Sequence, residues 1–172
     1  LKFLGHASTS FYLYQGTVLP CIGANFIDSA SINVLGRAAL ETFLVFHYIF
    51  AAPISEDERD FRYMSWLIAG LHERQNFPAQ SPKGKEMLLK ERELIIPLQK
   101  KLKDNVHFKS LDQSQQKYLL EKRKWNRPDW KDIAISAGLS HMLAEAFYRY
   151  LCDYAHAGNL SVLQIRKAET LQ

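Results

Sequence analysis

The residues best suited to chemistry lie on two apolar segments that are far apart in the sequence. Arg37 and Glu41 are four residues apart on the first segment, so a helix would place both side chains on one face, where they can pair. Arg149, Asp153 and His156 on the second segment would lie along one helical stripe. Histidine titrates near neutrality, so His156 could serve as a general acid or base. Packed together, the two segments would form an internal polar site.

Two interpretations of this polar set stay open. In the first, the five residues form an active site or a site for a small anionic ligand. In the second, they form a buried ion-pair network that fixes the register of the helices, with His156 capping a helix end. An isolated buried charge is costly, so both interpretations require that any buried member is paired and hydrogen-bonded.

No motif for a common cofactor or metal occurs in the sequence. We find no phosphate-binding glycine loop, dinucleotide fingerprint, His-Glu-x-x-His pattern or paired-cysteine zinc motif. Cys21 and Cys152 match no zinc spacing, and the remaining histidines have no partners at metal-ligand spacing. We therefore expect neither a cofactor nor a metal. Two cysteines without a disulfide framework suit a cytoplasmic protein.

The positive charge of the chain is concentrated in its middle. The formal net charge is +4, but residues 83–131 hold 14 lysines and arginines against 7 acidic residues. Trp125 and Trp130 lie among these basic residues, and aromatic rings in a basic region can stack on the bases of RNA. The alternative is that the charges are solvated helix faces and that the tryptophans anchor a loop to the core.

These residues are carried by predicted helices. A helix that begins near Asn25 or Asp28 and stops at Pro53 carries Arg37 and Glu41, and its many large apolar residues predict that it is the central, most buried helix. The sequence contains no convincing alternating pattern of a strand. It therefore predicts an all-α fold, a single helical bundle that spans residues 1–172 as one domain.

Local signals predict the ends of the other helices. Ser55 is expected to cap a second helix. A third helix, over residues 82–103, contains Pro97 as a kink or break. Gly138 is expected to end a short helix with positive φ, and Ser140 to cap the last strong helix, over residues 141–156.

The sequence argues against a membrane span. Its longest apolar stretch, residues 35–54, is interrupted by Arg37, Glu41 and His47, and charges are costly in lipid. We therefore expect no contact with a membrane. The chain begins at Leu1 without a methionine, which predicts that the natural N-terminus lies further upstream.

Two blocks of the sequence resemble a widespread bacterial family of uncharacterised helical proteins. The first block, residues 29–41, contains the Arg-x-x-x-Glu pattern. The second comprises Trp130, Ala137-Gly138, Tyr150, a small residue shortly before His156, and Ala157-Gly158. Family members usually have a serine at the position of Cys152, so this chain lacks that hydroxyl nucleophile. The resemblance implies an all-helical fold without an established activity.

Arg149 and His156, with six residues between them, are similar to the Arg-x(4–6)-His motif of HEPN-type helical domains, many of which are RNases in defence or toxin systems. This resemblance implies a homodimer. A metal-independent RNase of this kind would use His156 as the acid and base and Arg149 or Arg37 to stabilise the phosphorane charge. Glu41 and Asp153 would orient these positively charged side chains.

Two functions follow from these observations. The first is a non-catalytic binding or interaction module with an internal Arg/Glu/His polar cluster, and it is the default because no strong catalytic motif occurs. The second is the metal-independent RNase, with RNA as its partner.

Overall fold

The computed structural model describes residues 1–21, 23–121, 125 and 128–155. The prediction of an all-α fold is confirmed. Contacts divide the chain into two compact units, of which unit 1 is Leu1–His47 with Trp130–Gln172 and unit 2 is Tyr48–Asp129. Because such a division does not measure independent folding, the single domain stays a prediction.

The described part of the chain contains eight α-helices, one π-helical turn and one small hairpin. The helices are α1 (Lys2–Tyr14), α2 (Ser29–Phe46), α3 (Glu56–Arg74), α4 (Pro82–Asp104), α5 (Val106–Ser110), α6 (Gln113–Glu121), α7 (Trp130–Ser136) and α8 (His141–Ala155), with the π-helical turn His47–Ala51 after α2. The hairpin strands are β1 (Thr17–Leu19) and β2 (Ala24–Phe26), which pair antiparallel.

In unit 1, α2 is the element against which the other helices pack. The hairpin links α1 to α2, and α1 lies along α2. Helices α7 and α8 contact each other, and both contact α2. The predicted caps are confirmed: Asp28 Oδ1 accepts a hydrogen bond from the Ser31 amide at 3.0 Å, and Ser140 Oγ accepts one from the Leu143 amide at 3.3 Å. Gly138 has the predicted positive φ, 95°.

The prediction that the helix after Asp28 is the most buried one is wrong. Leu44 is the only residue within α2 that is buried, whereas α3 has five. The segment Ser29–Ala51 is long and apolar enough to cross a membrane by length and composition alone, with a mean hydropathy of 1.4 over its most apolar window and 17% of that window buried. A core helix of a soluble protein passes the same test, so this is weak evidence for a span.

Unit 2 is built on α3 and α4, which pack against each other. Ser55 Oγ accepts a hydrogen bond from the Glu58 amide at 3.1 Å, which confirms the predicted cap. Helix α4 continues through Pro97 without a break. The unit has a compact core, contributed by α3 to α6, whose buried residues are Phe61, Ile68, Leu102, Phe108 and Leu119.

Candidate functional site

The paired charges on α2 lie where α8 crosses that helix. Arg37 Nε donates a hydrogen bond to Glu41 Oε1 at 2.9 Å, so the predicted pairing is confirmed. The side chains are 20% and 32% exposed, which makes the pair partly rather than fully buried. Burial opposes the charge of Arg37, but the hydrogen bond and negative charge of Glu41 outweigh it, so the pKa of Arg37 is raised.

Tyr148 of α8 completes this cluster. Its hydroxyl donates to Glu41 Oε1 at 3.2 Å, and its ring centroid lies 5.6 Å from the guanidinium carbon of Arg37. Burial, reinforced by the negative charge of Glu41, raises the pKa of Tyr148 to about 12. The phenol therefore keeps its proton and donates a hydrogen bond to Glu41, which joins α8 to α2. We call Arg37, Glu41 and Tyr148 the α2–α8 cluster.

Two further side chains border the α2–α8 cluster. The ring of Trp130, at the start of α7, stacks on Tyr148 with 6.3 Å between the centroids. Cys152, one turn after Tyr148, is half-buried and close enough to contribute to the pKa of both Tyr148 and Arg37. The cluster is thus bordered by the Trp130 ring and by the Cys152 thiol.

The other residues of the predicted polar set have different positions. Arg149 is 81% exposed and lies 3.8 Å from Glu145, one turn earlier in α8, instead of contacting Arg37 or Glu41. Asp153 is half-buried, near Tyr154. His156 lies outside the described residues. The structure therefore brings together Arg37 and Glu41, and adds Tyr148, a residue that the sequence did not single out.

A second cluster of the same residue types occurs in unit 2. Arg62 donates to Glu58 Oε1 at 2.6 Å and to the Tyr48 carbonyl oxygen at 2.7 Å, and its guanidinium carbon lies 4.3 Å from the centroid of the Tyr48 ring. Glu58 Oε2 accepts from the Ile54 amide at 3.0 Å. Burial opposes the charge of Glu58, but these hydrogen bonds outweigh it and lower its pKa. We call Tyr48, Glu58 and Arg62 the α3 cluster.

Helix α1 presents an apolar surface to solvent. Phe3, Ala7, Phe11 and Tyr14 recur at helical spacing, and all are exposed, as is the adjacent Leu4. We call these five residues the α1 stripe. None of the residues of α1 is buried. The side of α1 that is partly buried is more polar, and consists of His6, Ser10 and Leu13.

The surroundings of the α1 stripe carry almost no charge. Residues 3–27 contain no lysine, arginine, aspartate or glutamate. On the partly buried side, His6 Nε2 is shielded from solvent and has no hydrogen-bond partner among the described residues. A surface helix usually turns its large apolar residues towards the core, whereas α1 leaves all four of its aromatic residues exposed. The arrangement is expected of a helix that packs against another molecule.

Comparison with known proteins places the chain in a family. The profile of a family of unknown function, DUF5677, matches residues 9–169, nearly the whole chain. The chain belongs to this family. Neither a curated protein nor a solved structure matches it. The prediction of an uncharacterised family is therefore confirmed, and residues 9–169 include the α2–α8 cluster and two of the five residues of the α1 stripe, Phe11 and Tyr14.

For this family member, the described residues offer no assembled site for a metal. In the part of the chain that the structure describes, no three histidine, cysteine, aspartate or glutamate side chains come together as a metal would require. Cys21 and Cys152 are both free thiols. Trp125 packs edge-on against Tyr48 at 5.6 Å, so its ring contributes to packing within unit 2. The neighbouring basic residues 122–124 and 127 lie outside the described residues.

Proposed function

We propose that this chain is a non-catalytic interaction module that self-associates through the α1 stripe. The observation that supports the proposal best is the exposure of large apolar side chains on α1, which has no buried residue and exposes Phe3, Leu4, Phe11 and Tyr14. Such contiguous apolar patches on a soluble protein usually mark an interaction site.

The absence of charge favours a second copy of the chain as the partner. In a two-fold interface the same surface patch is used by both copies, so a charged patch would repel itself. Residues 3–27 avoid this repulsion entirely, because they carry no charged side chain. Two α1 helices can thus lie antiparallel, with Phe11 of each near Leu4 of the other.

The size of the α1 stripe suits a modest dimer interface. Phe3, Leu4, Phe11 and Tyr14 are 44%, 62%, 62% and 67% exposed. At about 200 Å² for a large side chain, these fractions correspond to roughly 450 Å² on each copy. A standard interface buries about 800 Å² per partner, so the stripe supplies more than half of one. Tyr12 and Val18, 70% and 63% exposed, lie close by to extend it.

In this account the α2–α8 cluster has a structural role. Glu41 holds Arg37 on its own helix and Tyr148 on α8, and so fixes the two helices against each other. Helix α1 lies along α2, so the cluster secures the support on which the α1 stripe is presented. Glu41 also neutralises Arg37, which makes this arginine a poor receptor for an anion.

The test is to place a charge in the α1 stripe and measure the molar mass of the chain by light scattering. We expect the wild-type chain of 19.9 kDa to reach twice that mass at high concentration. Phe11→Glu should remain monomeric, because self-association would bury two uncompensated carboxylates. Met142→Glu is the matched control, since Met142 is 73% exposed on α8 and lies outside the stripe.

Three results would contradict the proposal. The first is a wild-type chain that stays monomeric at every concentration. The second is a dimer that survives Phe11→Glu and Leu4→Glu together. The third is a monomeric wild-type chain that sediments with neutral phospholipid vesicles, which would assign the α1 stripe to a membrane surface. Circular dichroism of each variant verifies that its helices are intact.

We also propose a cytoplasmic location. The support is that both cysteines are free thiols, of which Cys21 is exposed, and free exposed thiols suit a reducing compartment. Fractionation of cells that express the full-length protein would test this, and recovery of the protein in the membrane or extracellular fraction would contradict it.

A second candidate function is metal-independent cleavage of RNA. The observation that favours it is the exposure of Arg149, which at 81% can reach a phosphate in solution. Its test is cleavage of RNA in EDTA, with Arg149→Ala and His156→Ala beside the wild type. Cleavage that is lost in both variants while their melting temperatures stay unchanged would establish the activity. A wild-type chain that leaves several RNAs intact would eliminate it.

A further inference from the structure

Unit 2 contains a groove that shares no lining residue with the α3 cluster. It forms where the C-terminal end of α3 meets the middle of α4 and has a volume of about 440 Å³. Pockets that bind small molecules commonly have volumes of about 300–1,000 Å³. The groove is lined by polar side chains and two isoleucines, and the lining residues are His72, Gln75, Asn76, Arg92, Ile95, Ile96 and Gln99.

One wall of the groove holds an arginine in a fixed position. Arg92 Nε donates to Gln75 Oε1 at 3.2 Å, and Gln75 Nε2 donates to the Leu88 carbonyl oxygen at 3.1 Å. Gln75 therefore joins Arg92 to the backbone of α4. Among the described residues, no carboxylate pairs with the Arg92 guanidinium, so its two terminal nitrogens keep their capacity to bind an anion.

The carboxylate of the residue before Arg92 pairs with a different arginine. Glu91, the preceding residue, accepts from Arg74 at 2.9 Å. The last carbonyl groups of α3 would also repel an anion, but those of Leu71, Glu73 and Arg74 accept hydrogen bonds from the amides of the residues that follow the helix. Among the lining residues, Arg92 is the one that carries a formal charge at neutral pH.

The remaining lining suits the uncharged part of a ligand. Ile95 is buried and forms an apolar floor, whereas Ile96 is 75% exposed at the rim. About two turns further along α4, the side-chain nitrogen of Gln99 lies 3.4 Å from His72 Nε2, and this pair offers polar atoms beside the isoleucines. A cation next to an apolar surface is complementary to a molecule that is anionic at one end only.

We propose that this groove binds a small organic anion, with its carboxylate or phosphate group on Arg92 and its apolar body on Ile95 and Ile96. A guanidinium presents parallel N–H groups that match both carboxylate and phosphate oxygens. Because Gln75 holds the side chain in place, little rotamer freedom is lost when the anion binds.

The test is ligand-observed NMR on the intact chain with benzoate, phenyl phosphate and the neutral benzyl alcohol. Benzoate or phenyl phosphate should bind with a Kd in the range of about 1–10 mM, as expected for so small a molecule. Benzyl alcohol should bind at least about tenfold more weakly, since it lacks the charge-assisted hydrogen bonds. Comparison of the two anions identifies which oxyanion the groove prefers.

Variants locate the site. Arg92→Gln should weaken binding by about tenfold or more, whereas Arg59→Gln should leave it unchanged, because Arg59 is an exposed arginine of α3 outside the groove. Ile96→Asp, a change at an exposed position, should also weaken binding of the anions by repulsion. The proposal is overturned if neither anion binds the wild type, or if Arg92→Gln and Ile96→Asp both bind as the wild type does.

Discussion

The two units differ in the way that they use apolar residues. The first 55 residues contain four charged side chains, yet α1 has no buried residue and α2 has one. Helix α3 begins with three acidic residues and is charged along much of its length, yet five of its residues are buried. An apolar sequence therefore does not by itself make a core. The large apolar residues of α3 include buried ones, whereas those of α1 are exposed or only partly buried.

The two Arg–Glu–Tyr clusters extend this comparison. In the α3 cluster all three residues come from one local segment, and Arg62 and Glu58 are each 18% exposed. Both oxygens of Glu58 accept hydrogen bonds. In the α2–α8 cluster the partners are 107 residues apart, and Glu41 Oε1 accepts both hydrogen bonds while Oε2 accepts none from the described residues. Among the described residues, Glu58 thus accepts hydrogen bonds on both oxygens and Glu41 on one.

The sharpest test of the comparison between units is to truncate one phenylalanine in each. Phe61→Ala should lower the free energy of unfolding by about 3 kcal/mol, because Phe61 is 8% exposed within the core of unit 2. Phe11→Ala should cost less than about 1 kcal/mol in the monomer, because Phe11 is 62% exposed. Urea denaturation followed by circular dichroism measures both. Equal losses would contradict the difference between the units.

Removal of Glu58 tests the α3 cluster. Glu58→Ala should destabilise the fold by about 2 kcal/mol, because it leaves Arg62 without its carboxylate and the Ile54 amide without an acceptor. Glu56→Ala is the matched control on the same helix, and a change near zero is expected since Glu56 is 88% exposed. If the two variants unfold at the same urea concentration, the cluster does not stabilise unit 2.

The hydroxyl of Tyr148 tests the α2–α8 cluster. Tyr148→Phe keeps the ring but removes the hydrogen bond to Glu41, so we expect a loss of about 1 kcal/mol in the free energy of unfolding. Tyr118→Phe, at a tyrosine that is 41% exposed in unit 2, should change it little. An unchanged stability in Tyr148→Phe would mean that this contact does not hold α8 to α2.

The pKa of Tyr148 predicts a dependence of stability on alkaline pH. Because the folded chain raises the pKa of Tyr148 from about 10 to about 12, the folded state retains a proton that the unfolded state releases. The stability that this provides is present below pH 10 and is lost as the pH rises towards 12. Urea denaturation between these values should show a shallower decline for Tyr148→Phe than for the wild type. A steeper or equal decline would contradict the assignment.

Helix ends could be predicted from the sequence because their signals are local. Asp28, Ser55 and Ser140 accept hydrogen bonds from amides three residues later in the chain, and Gly138 takes the positive φ that a helix end requires. Pro97 does not break its helix, since α4 continues through it, and the predicted kink stays a prediction.

Helix α1 could not be predicted from the sequence. Its stripe has helical spacing, but the opposite side carries histidine, serine and leucine instead of charged residues, so no amphipathic contrast marks the helix. The prediction that α2 is the most buried helix was also wrong. Apolar composition cannot distinguish a helix face that packs within the chain from one that remains exposed.

Only part of the α2–α8 cluster, the Arg37–Glu41 pair, could be predicted from the sequence. Arg37 and Glu41 are noticeable because they interrupt an apolar helix, but nothing in the sequence indicates that Tyr148, 107 residues after Glu41, would complete the set. Arg62 and Glu58 were missed because α3 contains many charged residues, and spacing alone does not reveal which pair is buried. Arg149 has the spacing of a site residue but lies exposed.

The most direct test of the central claim is amide hydrogen exchange in the wild-type chain at low and high protein concentration. Helix α1 has no buried residue, so in the monomer its amides should exchange fast. Self-association through the α1 stripe predicts that their protection rises with concentration, while that of α4 in unit 2 stays constant. Exchange in α1 that is independent of concentration would contradict the claim.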